Sequence, residues 1–361
     1  MAEEMTATEE IGAMEGAGAA EGAGVTGGPG ATGEPGAEFT RRTEPFRDEL
    51  LAYCYRMLGA LHDAEDLVQE VYLRAWRSWD GFEGRSSPRT WLYRIATNAC
   101  LNALRHSSRR ALPSGLGNPA EELPRANQRA PEATWLQPFP DRLLTAPSDD
   151  PAAVVATRAG IRLAFVAALQ HLPQQQRAVL ILREALGWHA AEVADLLGTT
   201  PAAVNSSLQR ARAQIERLAP ASDQVAEPSD ARRRELLDRY VSAFENADID
   251  ALGGLLTDDT VWEMPPVQAW YLGRESVLRL VAARWSPRPG GSRLLPTAAN
   301  GMPAFGYYRD GAASSIQVLT LTEAGISHVV GFHDASLLPR FGLPPEVGLH
   351  PRVESTFPPG A

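Results

Sequence analysis

Apolar positions recur at helical spacing in the first third of the chain. Leu50, Tyr53 and Met57 lie three or four residues apart, and Leu67 and Val71 repeat that spacing. The spacing predicts helices that each bury one face, so this part of the chain is expected to form a helical bundle.

Polar residues mark where these helices start and stop. Asp63, with Asp66 three residues later, has the pattern of a capped helix start, and Pro88 suits the first turn of a further helix. A turn at residues 80–84 separates the two helices. The bundle is predicted to span residues 40–110.

A second helical stretch covers residues 152–218. A short helix is predicted at 190–197, followed by a three-residue turn and a longer helix that Thr200 caps and Pro201 opens. A helix, a short turn containing glycine and a second helix form the pattern of a helix-turn-helix.

The pattern changes again in residues 232–350. Two helices are predicted first and strand-like runs follow, at 260–264, 304–308, 315–321 and 326–332. Helices followed by strands indicate an α+β domain with an antiparallel sheet. The predicted fold class is therefore multidomain, with two all-α domains followed by one α+β domain.

Four segments lie outside these domains: 1–39, 111–151, 219–231 and 351–361. Gly, Ala and Glu dominate the first segment, which is expected to be a disordered tail. The second segment holds eight prolines and is expected to be an extended linker. The third is a polar joint and the fourth a second tail.

One island inside the linker is apolar. It contains Trp135, Leu136 and Phe139, which are poorly suited to a solvated linker. We expect this island to dock onto another part of the protein, and a stray apolar cluster is the alternative.

The composition of the chain excludes several classes of protein. Hydrophobic residues make up 44% of the chain, as expected of domains with buried cores, and the two cysteines cannot build a disulfide framework or a four-thiolate zinc site. The sequence has no signal peptide and no apolar run near the roughly 18–20 residues of a membrane span. We expect a cytoplasmic protein without a metal or cofactor.

Charge is distributed unevenly. The net charge is −10, and residues 1–38 alone hold eight glutamates and no basic residue, whereas residues 85–110 hold six arginines and no acid. Arg94, Asn98, Asn102 and Arg105 fall on one helix face, where they could contact phosphates and base edges. The alternative is a solvated basic face.

Two further groups of polar residues are candidates for binding. The second helix of the helix-turn-helix carries Asn205, Ser206, Gln209 and Arg210, which suit a major groove, although an ordinary helical hairpin would look similar. Asp63, Glu65, Asp66 and Glu70 form an acidic cluster. It is either a solvated face or a site for a basic protein partner.

Three segments together resemble the extracytoplasmic-function (ECF) sigma factors of the sigma-70 family. Residues 63–76 (DAEDLVQEVYLRAW) resemble the core-polymerase-binding region, and residues 88–105 (PRTWLYRIATNACLNALR) resemble the −10 element helix. Residues 172–180 (LPQQQRAVL), with the helix-turn-helix, resemble the −35 domain. The domain at 232–350 looks like the fused SnoaL-like, NTF2-like domain of one subgroup, an α+β cone around a pocket.

The resemblance implies a function and a set of roles. The chain would bind core RNA polymerase, through its β′ clamp and β subunits, and direct initiation at promoter DNA. The acidic cluster would bind the clamp, the turn at 80–87 would capture a flipped base, and the linker island would serve regulation by the C-terminal domain. The residues implied for the −10 element are Arg85, Arg89, Trp91, Arg94, Asn98, Asn102 and Arg105, and those for the −35 element are Thr200, Asn205, Ser206, Gln209 and Arg210. The linker is longer than is usual in this family.

A rival interpretation concerns the C-terminal domain, which could be a small-molecule sensor or enzyme in a bifunctional chain. Its candidate acid and base residues are Asp258, Asp259, Glu263, His328, His333 and Asp334, and His333 with Asp334 could form a pair. Trp262, Met264, Trp270, Tyr271 and Phe305 would more simply line a cavity or a dry interface. We expect no catalytic residue, and a small-molecule ligand stays open.

Overall fold

The computed structural model describes residues 35–105, 108–123, 134–144, 160–218, 228–285 and 291–348. These residues form two helical domains, two linker segments and a C-terminal domain with a sheet.

The first domain is a bundle of four helices: α1 (Pro35–Thr43), α2 (Arg47–Leu58), α3 (Leu61–Arg77) and α4 (Pro88–Arg105). Helix α2 is buried from Leu50 to Leu58, because α3, α4 and the second helical domain surround it. Helix α1 begins inside the segment that was expected to be a disordered tail.

The first residues of α3 and α4 can be compared with the helix starts predicted from the sequence. The prediction for Asp63 is wrong: α3 begins at Leu61, with Ala60 at the N-cap position, so Asp63 lies in the first turn. The start of α4 agrees with the prediction, since the Ser87 hydroxyl accepts a hydrogen bond from the Thr90 amide at 3.0 Å.

The second domain contains α5 (Leu163–Leu169), α6 (Gln174–Leu180), α7 (Ala190–Leu197) and α8 (Pro201–Leu218). The predicted helix-turn-helix is present as α7 and α8. Gly198, at a φ of 64°, ends α7, and the Thr200 hydroxyl accepts a hydrogen bond from the Ala203 amide at 3.2 Å. Local turn chemistry therefore sets the bounds of both helices.

The third domain packs α9 (Asp230–Asn246), α10 (Ile249–Gly253) and α11 (Arg274–Arg284) on one face of a six-stranded sheet. The strands are β1 (Leu256–Glu263), β2 (Trp270–Leu272), β3 (Ser292–Ala299), β4 (Met302–Arg309), β5 (Ala312–Thr322) and β6 (Gly325–Phe332), in the order β2-β1-β6-β5-β4-β3. The arrangement is the expected α+β cone, but the sheet is mixed rather than antiparallel because β1 and β6 run parallel.

Two hydrophobic cores hold the molecule together. One lies inside the cone, between the helices and the inner face of the sheet, and includes Tyr240, Phe244 and Trp262. The other is continuous through both helical domains, the linker island and the opposite face of the sheet. The C-terminal domain thus shares a core with the two helical domains.

Candidate nucleic-acid interface

The predicted basic face of α4 is exposed. Arg94, Asn98, Asn102 and Arg105 all face solvent, and their spacing of three or four residues keeps them on one side of the helix. Arg85 is also exposed, in the loop before α4, where it pairs with Glu83. The structure thus brings guanidinium and amide groups together along this one side of α4.

Arg89 lies on a different face and is held in place by Glu49. Its Nε lies 3.0 and 3.1 Å from the two carboxylate oxygens, and the Tyr93 hydroxyl donates to the same carboxylate at 2.9 Å. Burial and the neighbouring Glu49 charge raise the pKa of Tyr93 well above its usual value, so this hydroxyl remains a donor.

Trp91 belongs to an aromatic cluster at the loop before α4. Its ring lies 4.9 Å from that of Phe82 and 5.9 Å from that of Trp79, and Trp79 and Phe82 are stacked. The rings are partly exposed, as a platform for unpaired bases requires.

The residues predicted for the −35 element lie along the first half of α8. Asn205, Ser206, Gln209 and Arg210 are exposed, whereas Val204 and Leu208 pack inward. Thr200 caps the helix rather than projecting along it.

Two carboxylates of the acidic cluster form ion pairs with arginines from other parts of the chain. A cavity of about 270 Å³ between α3 and α4 is lined by Asp63, Asp66, Glu70 and Arg110, among others. Asp63 pairs with Arg110, and Glu65 accepts a hydrogen bond at 3.0 Å from Nε of Arg340, a residue of the C-terminal domain. Asp66 and Glu70 stay exposed.

The two helical domains contact each other through α4. Arg94 pairs with Asp195 of α7, and the side-chain amide nitrogen of Gln174 donates to the Leu104 carbonyl at 2.7 Å. Arg177 is buried and donates to the Met57 carbonyl at the end of α2 and to Gln170. Burial lowers the pKa of Arg177 to about 10. The contact therefore includes a buried charge anchored on a helix C-terminus.

The linker island docks where all three domains meet. Leu136 and Phe139 are fully buried and Trp135 is half-buried. The Gln137 amide donates to the Gly59 carbonyl at 3.0 Å, and the rings of Phe139 and Tyr55 lie 4.8 Å apart. Gly59 has a φ of 77°, and a Cβ there would lie 2.7 Å from a methyl carbon of Leu136, so the close approach requires glycine.

Asn300, at the tip of the β3–β4 hairpin, joins the three domains. Its backbone amide donates to the Phe139 carbonyl at 2.9 Å, and its side-chain oxygen accepts from the Phe139 amide at 2.8 Å. Its side-chain nitrogen donates to the Tyr55 hydroxyl at 2.9 Å and to the Ile161 carbonyl at 2.7 Å. One buried side chain therefore contacts the first helical domain, the linker and the start of the second helical domain.

A second linker segment, 113–122, lies across the outside of the cone. The Ser114 amide donates to Glu263 at 2.8 Å, and the same buried carboxylate lies 2.8 Å from Nε2 of His328. Trp270 donates to the Gly117 carbonyl, and the Tyr271 hydroxyl donates to the Glu122 carbonyl. Trp270 and Tyr271 therefore bind the linker, rather than line a cavity as was one expectation.

The candidate acid and base residues of the cone lie in different surroundings. The Asp334 carboxylate accepts from the amide and hydroxyl of Ser336, and Asp258 pairs with Arg274 at the surface. His333 lines a cavity of about 50 Å³ with Trp262 and Met264, among others. Among the described residues, no group of three or more His, Cys, Asp or Glu side chains could hold a metal ion.

Sequence reasoning missed Asn300, Tyr55 and Arg340 as contact residues. The Asn300-Gly301 dipeptide is a signal for a tight hairpin turn, so the turn itself was visible in the sequence. Its partners lie up to 245 positions away, and no local pattern indicates such a contact.

Comparison with known proteins identifies the family. Residues 43–110 match the family model for Sigma-70 region 2, and residues 162–215 match the model for Sigma-70, region 4. The chain is 49% identical over 313 residues to the ECF RNA polymerase sigma factor SigG of Mycobacterium tuberculosis, an alignment that covers 85% of this chain and 84% of SigG. The chain belongs to the ECF RNA polymerase sigma factors.

A second relative is similar to this chain in both sequence and structure. The M. tuberculosis ECF RNA polymerase sigma factor SigJ is 29% identical over 245 residues, covering 66% of this chain and 70% of SigJ. The crystal structure of SigJ shares the fold, with a TM-score of 0.53 at 23% identity, over 84% of this chain and 98% of that one. The expected fold class, two all-α domains followed by one α+β domain, is confirmed.

As an ECF sigma factor, the protein directs promoter-specific transcription initiation, with core RNA polymerase and promoter DNA as its partners. The first helical domain is sigma region 2 and the second is sigma region 4. Within the described ranges, no helix is both long enough and apolar enough to cross a membrane.

Proposed function

We propose that this sigma factor is held closed in cis, with its C-terminal domain covering part of the surface that core polymerase uses. The observation that carries the proposal is the ion pair between Arg340 and Glu65, which places a C-terminal arginine on the acidic helix α3. A basic segment of the polymerase β′ clamp would need the same carboxylate.

The DNA-binding roles rest on exposed side chains. Arg94 and Arg105 would bind backbone phosphates of the −10 element, and Asn98 and Asn102 would contact its bases. Asn205, Ser206, Gln209 and Arg210 would read the −35 element from the first half of α8, which is the part of a recognition helix that contacts base edges.

Promoter geometry requires the two domains to separate. The −10 and −35 elements lie about 25 base pairs apart, which is roughly 85 Å at 3.4 Å per base pair. In the structure, region 4 contacts the −10 helix directly through Arg94 and Asp195. The closed arrangement therefore cannot contact both elements at once, and opening would accompany assembly with polymerase in the cytoplasm.

The shared core explains how the C-terminal domain restrains this opening. Asn300, Leu136 and Phe139 are buried between the domains, and separating the domains exposes apolar surface and exchanges the hydrogen bonds of Asn300 for bonds to water. Each hydrogen bond exchanged in this way costs about 0.5–1.5 kcal/mol. Polymerase and promoter contacts would have to offset this cost.

We propose no catalytic role for the C-terminal domain. The Asp334 carboxylate is engaged as a helix cap, and the cavity that His333 lines, at about 50 Å³, is far smaller than the roughly 300–1,000 Å³ of small-molecule sites. Glu263 and His328 form their pair outside the cone, against the linker, where they would fix Ser114.

The test of the polymerase-binding surface is a charge reversal. The variant carrying Asp63→Arg and Asp66→Arg should lose binding to core polymerase in a pull-down. Asp238→Arg, a reversal at an exposed position of α9, is the matched control and should bind normally. Unchanged binding by the double variant would contradict the assignment of α3.

A further inference from the structure

Region 4 inserts an aromatic ring into a slot on region 2. The Trp188 ring lies 5.2 Å from the Tyr93 ring at 62°, and the Arg89 guanidinium carbon lies 5.3 Å from the Tyr93 centroid and 5.7 Å from the Trp188 centroid. Trp188 is buried, and its indole nitrogen has no hydrogen-bond partner within the described chain. The Trp188 ring is therefore held by packing contacts and not by a hydrogen bond.

Both walls of the slot, Tyr93 and Arg89, are bound by a third residue of region 2. Glu49 binds Arg89 through both carboxylate oxygens and accepts a hydrogen bond from Tyr93, so one carboxylate positions both walls. An aromatic ring beside a fixed guanidinium is a surface on which a planar base stacks favourably.

Region 4 also pairs a carboxylate with Arg94, the arginine of α4 proposed above to bind a backbone phosphate. Asp195 lies seven residues after Trp188, on α7, and pairs with Arg94 of the −10 helix. Region 4 thus presents one planar ring and one negative charge to region 2.

We propose that Trp188 and Asp195 mimic a base and a phosphate, and that the Tyr93–Arg89 slot binds a base of the single-stranded −10 region when region 4 moves away. This inference rests on the proposed −10 role of α4. It adds a base site distinct from the Trp79–Phe82–Trp91 cluster and makes single-stranded DNA a competitor of region 4 for region 2.

The experiment uses the full chain and a fluorescent single-stranded 12-nucleotide DNA pool of random sequence, with binding followed by anisotropy. The variant carrying Trp188→Leu and Asp195→Asn should bind this DNA at least fivefold more tightly than the natural sequence. Leucine keeps an apolar side chain at the interface, and asparagine keeps a polar group of similar size.

Two further variants distinguish exposure of the Tyr93–Arg89 slot from a general separation of regions 2 and 4. Gln174→Ala removes another contact between the two regions, away from the slot, and should give a much smaller gain. Adding Arg89→Gln to the double variant should cancel its gain. An equal gain from Gln174→Ala, or a gain that survives Arg89→Gln, would overturn the proposal.

Photocrosslinking gives an independent readout. A DNA pool containing 5-iododeoxyuridine should crosslink to Tyr93 in the double variant and not in the natural sequence. Crosslinks confined to Trp79, Phe82 and Trp91 in both proteins would overturn the slot while leaving the −10 role of α4 intact. If binding to single strands is indifferent to both Asn98→Ala and Arg105→Ala in holoenzyme, the proposed role of α4 itself fails.

Discussion

The Asn300 side-chain amide donates a hydrogen bond to the Tyr55 hydroxyl at 2.9 Å, and so joins the tip of a C-terminal hairpin to the core of region 2. Tyr55 donates in turn to the carbonyl of Gln137 in the linker at 2.7 Å. Burial raises the pKa of Tyr55 far above its usual value, so the hydroxyl keeps its proton and serves both partners. Docking of the C-terminal domain thus depends on a short chain of hydrogen bonds through two buried side chains, Asn300 and Tyr55.

Phe139 should contribute more to this docking than Trp135. Phe139 is fully buried between Tyr55 and Asn300, and its replacement by alanine should cost about 3–5 kcal/mol, whereas Trp135→Ala at a half-buried position should cost less. The midpoint of urea unfolding compares the two variants.

The same substitutions test the regulatory role of the linker in transcription. The double variant Trp135→Ala with Phe139→Ala should reproduce the effect of removing residues 221–361, because both changes break one contact. If truncation changes transcription and the double variant does not, the island is not the docking site.

Reversing the Arg340–Glu65 pair should separate its intramolecular role from its role with polymerase. Arg340→Glu should raise the affinity for core polymerase up to about fivefold, because an exposed pair is worth up to about 1 kcal/mol. Glu65→Arg should lower it. The swapped variant, with both changes, rebuilds the internal pair but presents a positive charge to polymerase, so it should also bind weakly. Titration of core polymerase measures all three, and tight binding by the swapped variant would show that Glu65 does not contact polymerase.

Substitutions in α4 should affect promoter choice differently, depending on whether the residue contacts a base or a phosphate. Asn98→Ala and Asn102→Ala should change which promoters are used, since a lost base contact costs about 1–3 kcal/mol only at sites with the preferred base. Arg105→Ala should weaken all promoters alike, because a phosphate contact carries no sequence information. A promoter library transcribed by each variant gives the answer. An even loss across the library for both asparagine variants would exclude base reading.

Acid should weaken the contact between regions 2 and 4 through His171. Burial and the neighbouring Arg109 lower the pKa of His171 in the folded protein, and its Nδ1 lies 2.9 Å from the Arg109 guanidinium. The unfolded chain therefore binds more protons than the folded protein as the pH falls below the usual value of about 6.5. The contribution of His171 to the free energy of unfolding is full above that pH and is lost as the pH falls below it.

The matched variant for this effect is His171→Gln, which keeps an acceptor for Arg109 but does not titrate. Its midpoint of thermal unfolding should fall less between pH 7.5 and pH 5.5 than that of the natural sequence. An equal fall in the two proteins would exclude His171 as the source.

Local features of the fold could be predicted from the sequence because the residues that set them are adjacent. Gly198, Thr200 and Pro201 define the helix-turn-helix within four positions, and the structure has the same turn. The predicted cap at Asp63 is wrong because the packing of Leu61 extends α3 by three residues, and burial outweighs a single side-chain cap.

Features that depend on distant pairing could not be predicted. The parallel pairing of β1 with β6 joins Trp262 to Val329, and no periodicity distinguishes it from an antiparallel pair. The exposed faces of α4 and α8 follow from helical spacing, whereas the contacts that cover parts of α3 and α4 do not. Asp195 and Trp188 contact α4 and Arg340 contacts α3, and each is an ordinary residue in its own segment. Their roles arise only when the domains come together.

We propose that the linker and the C-terminal hairpin hold regions 2 and 4 together, and that the two regions separate when polymerase binds. Energy transfer between dyes at Arg77→Cys and Ala213→Cys, two exposed positions, measures the separation directly, since Cys54 and Cys100 are buried. Asn300→Gly removes the side chain while tolerating the φ of 57°, and Asp310→Gly, at a φ of 50° in an exposed turn, is its matched control.

We expect high transfer in the natural sequence and in Asp310→Gly, partial loss in Asn300→Gly, and low transfer in all three proteins after core polymerase is added. High transfer that persists in a transcriptionally active holoenzyme, or that is unchanged by Asn300→Gly, would rule out the closed arrangement as the restraint.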